Sequence, residues 1–206
     1  LLTGQSNKFV DNSYNTFVLT ANGTPKVQTQ NPWQVNTGQS YYFDGTGDYL
    51  KAASSPTMAF GTGDFTIEYW IYPATLATQF TVIDFRGAVS NVGFSDYIST
   101  NGKINLFQEG GTTYLTTTGS ILANVWTHIA YVRTGSTVKV YINGIADATT
   151  ATNSTNWVAP SGSAVFGINY TVAAYITGYV TDLRITKGYG RYTATFTPPT
   201  TYLSQF

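Results

Sequence analysis

Two carboxylates set four residues apart around glycines, Asp44-Gly45-Thr46-Gly47-Asp48, are the first residues in this chain whose type and spacing could do chemistry. The glycines would let carbonyl oxygens converge beside the carboxylates, an arrangement that could hold a hard cation such as calcium. The same side chains could instead close the turn by bonding their own backbone. The turn reading comes first, because the full calcium-loop pattern of alternating acidic residues with a final Glu is absent. A second pair, Asp64 and Glu68, has the composition of a glycosidase's two carboxylates. Along a strand, however, their Cα atoms stand roughly 13 Å apart, and Asp64 falls in the turn before the strand, so an approach to about 5–9 Å is hard to achieve. His128 is the only histidine, placed mid-strand between Thr127 and Ile129. One histidine cannot supply a multi-histidine metal centre, and its strand position is that of a packed, hydrogen-bonded residue rather than a triad base.

The parts that a glycan site needs are flat aromatic faces beside neutral hydrogen-bonding groups. Trp33, Tyr97, Tyr114, Trp157, Tyr170 and Tyr175 all lie in or near stretches rich in Asn, Thr and Gly. Each could equally be a core anchor or a strand former, and for Trp33 the anchor reading is the stronger. Charged residues make up only 10% of the chain, against about 25% in an ordinary soluble protein. Ten basic residues balance ten acidic ones without forming a basic run, which excludes nucleic acid as the main partner. A surface wetted by Thr, Ser, Asn, Gln and Tyr fits a protein held in an assembly or displayed outside a cell, and low charge favours self-association. There are no cysteines, hence no disulfides or thiolate sites. No apolar run approaches the 18 or so residues of a membrane span. The chain opens Leu1-Leu2 and its only methionine is Met58, which suggests a segment of a longer or processed polypeptide. The sequons at Asn22, Asn153 and Asn169 come cheaply in a Thr-rich chain.

The elements that must position these residues read as strands throughout. The densest signal is 126–147, WTHIAYVRTGSTVKVYINGIAD: Val138, Val140 and Ile142 alternate with Thr137, Lys139 and Tyr141, and Asn143-Gly144 is a hairpin dipeptide. Three antiparallel strands are predicted there. The stretch 64–72, DFTIEYWIY, is a central strand with Phe65, Ile67, Tyr69 and Ile71 on one face. Further strands are expected near 81–85, 93–98, 103–107, 112–116, 164–169 and 174–186, punctuated by Gly87, Asn101-Gly102 and Gly110-Gly111. In the last strand, period two puts Val180, Asp182 and Arg184 on one face. Residues 24–38 read as loop with one edge strand, residues 51–63 as a connection with a helical turn near Ser55-Pro56, and Pro198-Pro199 as an extended tail. No repeat or linker divides the chain, so a single domain, 1–206, is expected.

Several separated motifs then fall in one order: FDGTGDYL at 43–50, DFTIEYWIYP at 64–73, WTHIAYVR with YINGI across 126–145, and GYVTDLRITKG at 178–188. As an ordered set they resemble the laminin G-like, concanavalin A-like jelly roll. The ending RYTATFTPP at 191–199 is similar to versions in bacteriophage and marine microbial surface proteins, and FVDNSYNTFVLTANG at 9–23 to that group's opening strands. The resemblance implies an all-β antiparallel sandwich of two curved six- to seven-stranded sheets. It implies a non-catalytic module that binds a cell-surface glycan or protein through rim loops, on a virion or outside a cell, with calcium in some members. Asp44, Asp48 and Asp182 match the family's acidic positions, and Asp182 could serve a cation or pair with Arg184. The alternative roles are a structural virion subunit that decorates a shell or fibre and, further off, a glycoside hydrolase. Other virion or surface subunits and a homo-oligomer are the remaining partners implied.

Overall fold

The computed structural model describes residues 2–5, 8–33, 39–88, 92–107 and 113–203. In chain order its strands are β1 (Leu2–Gln5), β2 (Lys8–Asp11), β3 (Leu19–Asn22), β4 (Lys26–Gln28), β5 (Ser40–Asp44), β6 (Tyr49–Ala53), β7 (Phe65–Pro73), β8 (Ile83–Asp84), β9 (Ser95–Ile98), β10 (Lys103–Phe107), β11 (Thr113–Ser120), β12 (Thr127–Thr134), β13 (Thr137–Ile142), β14 (Ile145–Thr152), β15 (Ser163–Phe166) and β16 (Thr177–Lys187). A single 3-10 turn, Pro56–Met58, sits in the expected connection, capped by Ser55, whose side chain accepts from the Thr57 amide. The turn expected at Gly110-Gly111 and the 34–38 part of the expected loop lie outside the described residues.

Two antiparallel sheets face each other. One runs β14-β13-β12-β7-β16-β1-β2, with β5 joining β16 ahead of β1 and β4 outside β5; the other runs β11-β10-β9-β8-β15-β6-β3. β7 is central, as its sequence predicts, flanked by β16 from Phe65 to Pro73 and by β12 from Phe65 to Ile71. Phe65, Ile67, Tyr69 and Ile71 are fully buried between the sheets, each side chain contributing about 1.5–3 kcal/mol by leaving water. The Asn143-Gly144 turn has positive φ at both residues, the geometry for which that dipeptide is selected. At Asn101-Gly102 only Gly102 is left-handed, and the Ser99 amide bonds the Lys103 carbonyl, so that hairpin has a longer loop closed by a glycine.

The last strand departs from strict alternation. Thr181 pairs with Trp70 and Arg184 with Glu68, so Asp182 and Leu183 together oppose one residue of β7. Asp182 has φ +53°, the kink of a bulge. Val180 and Leu183 consequently point into the core, whereas Arg184 points to the outer face. The expected shared face of Val180, Asp182 and Arg184 is therefore broken by one inserted residue. On that outer face the chain after β16 folds back over the sheet. Tyr192 and Phe196 stack at 3.5 Å above Tyr141, and the Phe196 amide bonds the Gly144 carbonyl.

Candidate functional site

The acidic turn is closed by its own backbone. Asp48 accepts from the Thr24 and Asp44 amides, one carboxylate oxygen each, at 2.6 and 3.2 Å. Asp44 accepts from the Thr46 amide at 2.7 Å. Asp182 lies along β16 beyond Thr177, the residue paired with Asp44, roughly 16 Å further on at strand rise. One of its oxygens accepts from the Leu203 amide at 2.8 Å. Arg184 pairs with Glu68 at 2.6 Å. The three carboxylates do not fit one calcium site, and no group of three or more His, Cys, Asp or Glu side chains able to hold a metal occurs among the described residues.

The aromatic candidates divide. Trp157 is fully buried, its ring packed among Phe60, Phe65 and Phe94. This corrects its expected ligand role: the polar loop that carries it dives under the sheets, where a large apolar ring gains most. Tyr114 turns inward against Trp157, and burial pushes its phenol far above the ordinary range. Trp33 is an anchor, donating its indole N–H to the Pro199 carbonyl at 2.8 Å and packing on Trp70 and Tyr202. Tyr97 stacks on Phe107, and Arg86 lies over both Phe107 and Tyr170, so these half-buried rings form one string. Tyr175 is half-buried beside β16. None of the six lines the cleft that segment 9–19 forms with β16.

That cleft, of about 1040 Å³, opens between segment 9–19 and the C-terminal half of β16. Asp11 shapes one wall by accepting from the Ser13 amide and hydroxyl and from the Phe17 amide, which curls the loop and leaves Tyr14 97% exposed at its tip. Phe9, Phe17 and Ile185 give an apolar floor, and Asn15, Lys187 and Arg191 a polar rim. A narrower crevice of about 100 Å³ continues past Met58, Phe85 and Leu183 between the sheets. Arg191 is oriented by donating Nε–H to the Thr186 hydroxyl, and Lys187 by donating to the Thr57 carbonyl. The cleft was legible only in part: Arg184, Lys187 and Arg191 cluster at the end of the last strand motif, but their facing wall is remote in sequence.

Behind this wall Glu68 is fully engaged. Oε1 accepts from Arg184, and Oε2 from the Tyr192 hydroxyl at 2.7 Å and His128 Nε2 at 3.2 Å. Burial works to raise the carboxyl, but His128, Arg184 and Tyr192 outweigh it and hold it below the usual range. Asp64, the other half of the carboxylate pair, accepts from the Gly135 amide of the next hairpin.

The family described as the concanavalin A-like lectin/glucanase superfamily, of laminin G type, matches residues 44–189. This chain belongs to it. The fold of this laminin G-like chain is similar to that of the binding domain of Paraclostridial Mosquitocidal Protein 1, with a TM-score of 0.68 at 15% identity, covering 95% of this chain and 48% of that one. It is also similar to Domain 4 of AbnA, a GH43 extracellular arabinanase from Geobacillus stearothermophilus solved with arabinotriose (TM-score 0.63, 19% identity, 84% and 82% covered). A third likeness is to a structure of botulinum neurotoxin type C, whose cell entry depends on two ganglioside molecules (TM-score 0.64, 15% identity, 89% and 46% covered). The chain spans about half the length of the toxin structures. A comparison with curated proteins finds no match.

Proposed function

We propose that this laminin G-like chain is a non-catalytic binding module, displayed on a phage particle or microbial surface, that recognises glycan through the cleft between segment 9–19 and β16. The observation that carries this reading is the cleft itself. An apolar floor, a neutral and cationic rim and an exposed tyrosine at the lip are the parts that hold an amphipathic saccharide. Binding without chemistry is supported by Glu68, whose oxygens are both taken, and by Asp64, tied to a neighbouring turn. The solved relatives in complex with, or dependent on, arabinotriose and gangliosides support the ligand class. The low charge of the chain supports display in an assembly or outside a cell.

The test is a glycan-array screen of this chain, run with calcium and with chelator. Saturable binding is expected in both conditions, reduced about tenfold or more by Tyr14→Ala combined with Arg191→Ala, the loss of roughly one well-placed contact's energy. Binding abolished by chelator would restore a metal role for Asp44 and Asp48. A blank array, or binding indifferent to both cleft substitutions, would overturn the cleft reading.

A further inference from the structure

The outer face of the β14-to-β2 sheet is unevenly covered. Trp70 and His128 lie beneath Trp33 and Phe196, where the C-terminal segment crosses the sheet. Next to this covered row stands another, which among the described residues makes no ring contact or hydrogen bond with that segment. Tyr179 of β16 is in register with Tyr42 of β5 on one side and Tyr72 of β7 on the other. Trp126, immediately before β12, packs against both Tyr72 and Tyr179 and closes a triangle of rings with them. Ring centroids are 4.9 Å apart for Tyr42–Tyr179, 5.9 Å for Tyr179–Tyr72 and 5.6 Å for Tyr72–Trp126. The Trp126–Tyr179 distance is 6.4 Å, so the four half-buried rings form one patch over β5, β16, β7 and the start of β12, at most about 11 Å from Tyr42 to Trp126.

Core packing does not account for this row, because the core-facing residues of these strands are their neighbours Phe43, Ile71 and Val180. Its polar atoms are equally unspent: the hydroxyls of Tyr42, Tyr72 and Tyr179 and the Trp126 indole N–H make no hydrogen bond within the described residues. We propose that this row is a second glycan site, separate from the cleft, which takes a neutral oligosaccharide laid across the strands. Sugar C–H faces would pack on the rings while the free phenols and indole bond the sugar hydroxyls, as aromatic groups with one wet edge do. The row carries no charge, and exposed Lys26 and Asp44, which flank its β5 end, cancel each other. A neutral ligand fits that field better than an acidic one. A second copy of the chain fits poorly. Four rings of about 150–250 Å² each, half covered by one another, leave a few hundred Å², short of the roughly 800 Å² per partner of a stable interface.

Isothermal titration with arabinotriose and cellotriose as neutral probes, and sialyllactose as the acidic one, tests the assignment. Affinity for a neutral probe is expected to fall about tenfold or more in Trp126→Ala. A few-fold fall is expected in Tyr179→Phe, which keeps the ring and the fold and removes one hydroxyl, and no change in Lys139→Ala on β13, outside both the patch and the cleft. No binding of either neutral probe at millimolar concentration would overturn the proposal. So would neutral binding lost in Arg191→Ala but kept in Trp126→Ala and Tyr179→Phe, an outcome that leaves the cleft reading standing. A concentration-dependent dimer that Trp126→Ala dissociates would overturn it in favour of self-association.

Discussion

Asp182 sits where its charge is least welcome. Its side chain is fully buried at the bulge of β16, one oxygen bonded by the Leu203 amide and the other without a partner. Burial pushes the carboxyl up to about 7, with the Leu203 amide and Arg184 pulling weakly the other way. Unfolded, the group titrates near 3.9. Between these values the folded chain binds a proton that the unfolded chain has released, so this group's contribution to stability declines as pH rises from about 4 and is least favourable above about 7. Asp182→Asn, which tolerates the positive φ, is expected to raise the melting temperature at pH 8 by several degrees. Its advantage should vanish below about pH 4, as read from thermal melts across pH. Arg133 makes the opposite case, a buried charge fully served. Its guanidinium donates to the carbonyls of Gly61, Gly63 and Thr155 and lies between the Phe65 and Trp157 rings. Arg133→Lys, with no planar fork, is expected to cost about 2 kcal/mol or more, measured as a lowered urea midpoint.

At the scale of elements, two attachments hold what the strand ladders do not. Asp147 of β14 accepts from the Thr118 and Gly119 amides of β11, bridging the edges of the two sheets. Burial opposes its charge, but those amides and that of Thr149 hold the carboxyl below the usual range. The depressed value places its stabilisation above about pH 4 and removes it as pH falls further. Asp147→Ala is expected to lower stability by about 1–3 kcal/mol at pH 7, with a smaller difference below pH 3, followed by denaturant melts. The second attachment is the C-terminal segment. Gly144 takes φ +79°, and a Cβ there would strike the Phe196 carbonyl. Gly144→Ala should therefore strain the hairpin and lift the segment together, accelerating hydrogen exchange at the Phe196 amide ahead of the core. These attachments mark the limit of what the sequence made legible. Period two and turn residues located the strands within 64–72 and 126–147 because those signals are local, although β14 runs on to Thr152. The bulge at Asp182, the burial of Trp157 and the docking of Tyr192 and Phe196 depend on residues far along the chain. A loop tryptophan reads alike whether it meets a ligand or a core. The ordered motifs did announce the sandwich, whereas the cleft and the outer aromatic row emerged only once β5, β7 and β16 were set side by side.

Across the whole molecule, recognition is expected to be nearly indifferent to ionic strength. Raising salt from 50 to 500 mM should weaken cleft binding a few-fold at most, because two rim cations face a chain of balanced charge; a steep decline in the titration would mean that the cations dominate. Topology has a further consequence, for synthesis. β16 pairs with β1, β5 and β7, so the first sheet cannot close until the last strand has been made. At about 5–20 residues per second, the wait between Pro73 and Thr177 leaving the ribosome is on the order of ten seconds. Throughout it β7 carries an unpaired apolar edge that invites pairing with other chains. A nascent chain arrested before Thr177 should be protease-sensitive and chaperone-bound, and one extended past Phe196 should become resistant in a single step.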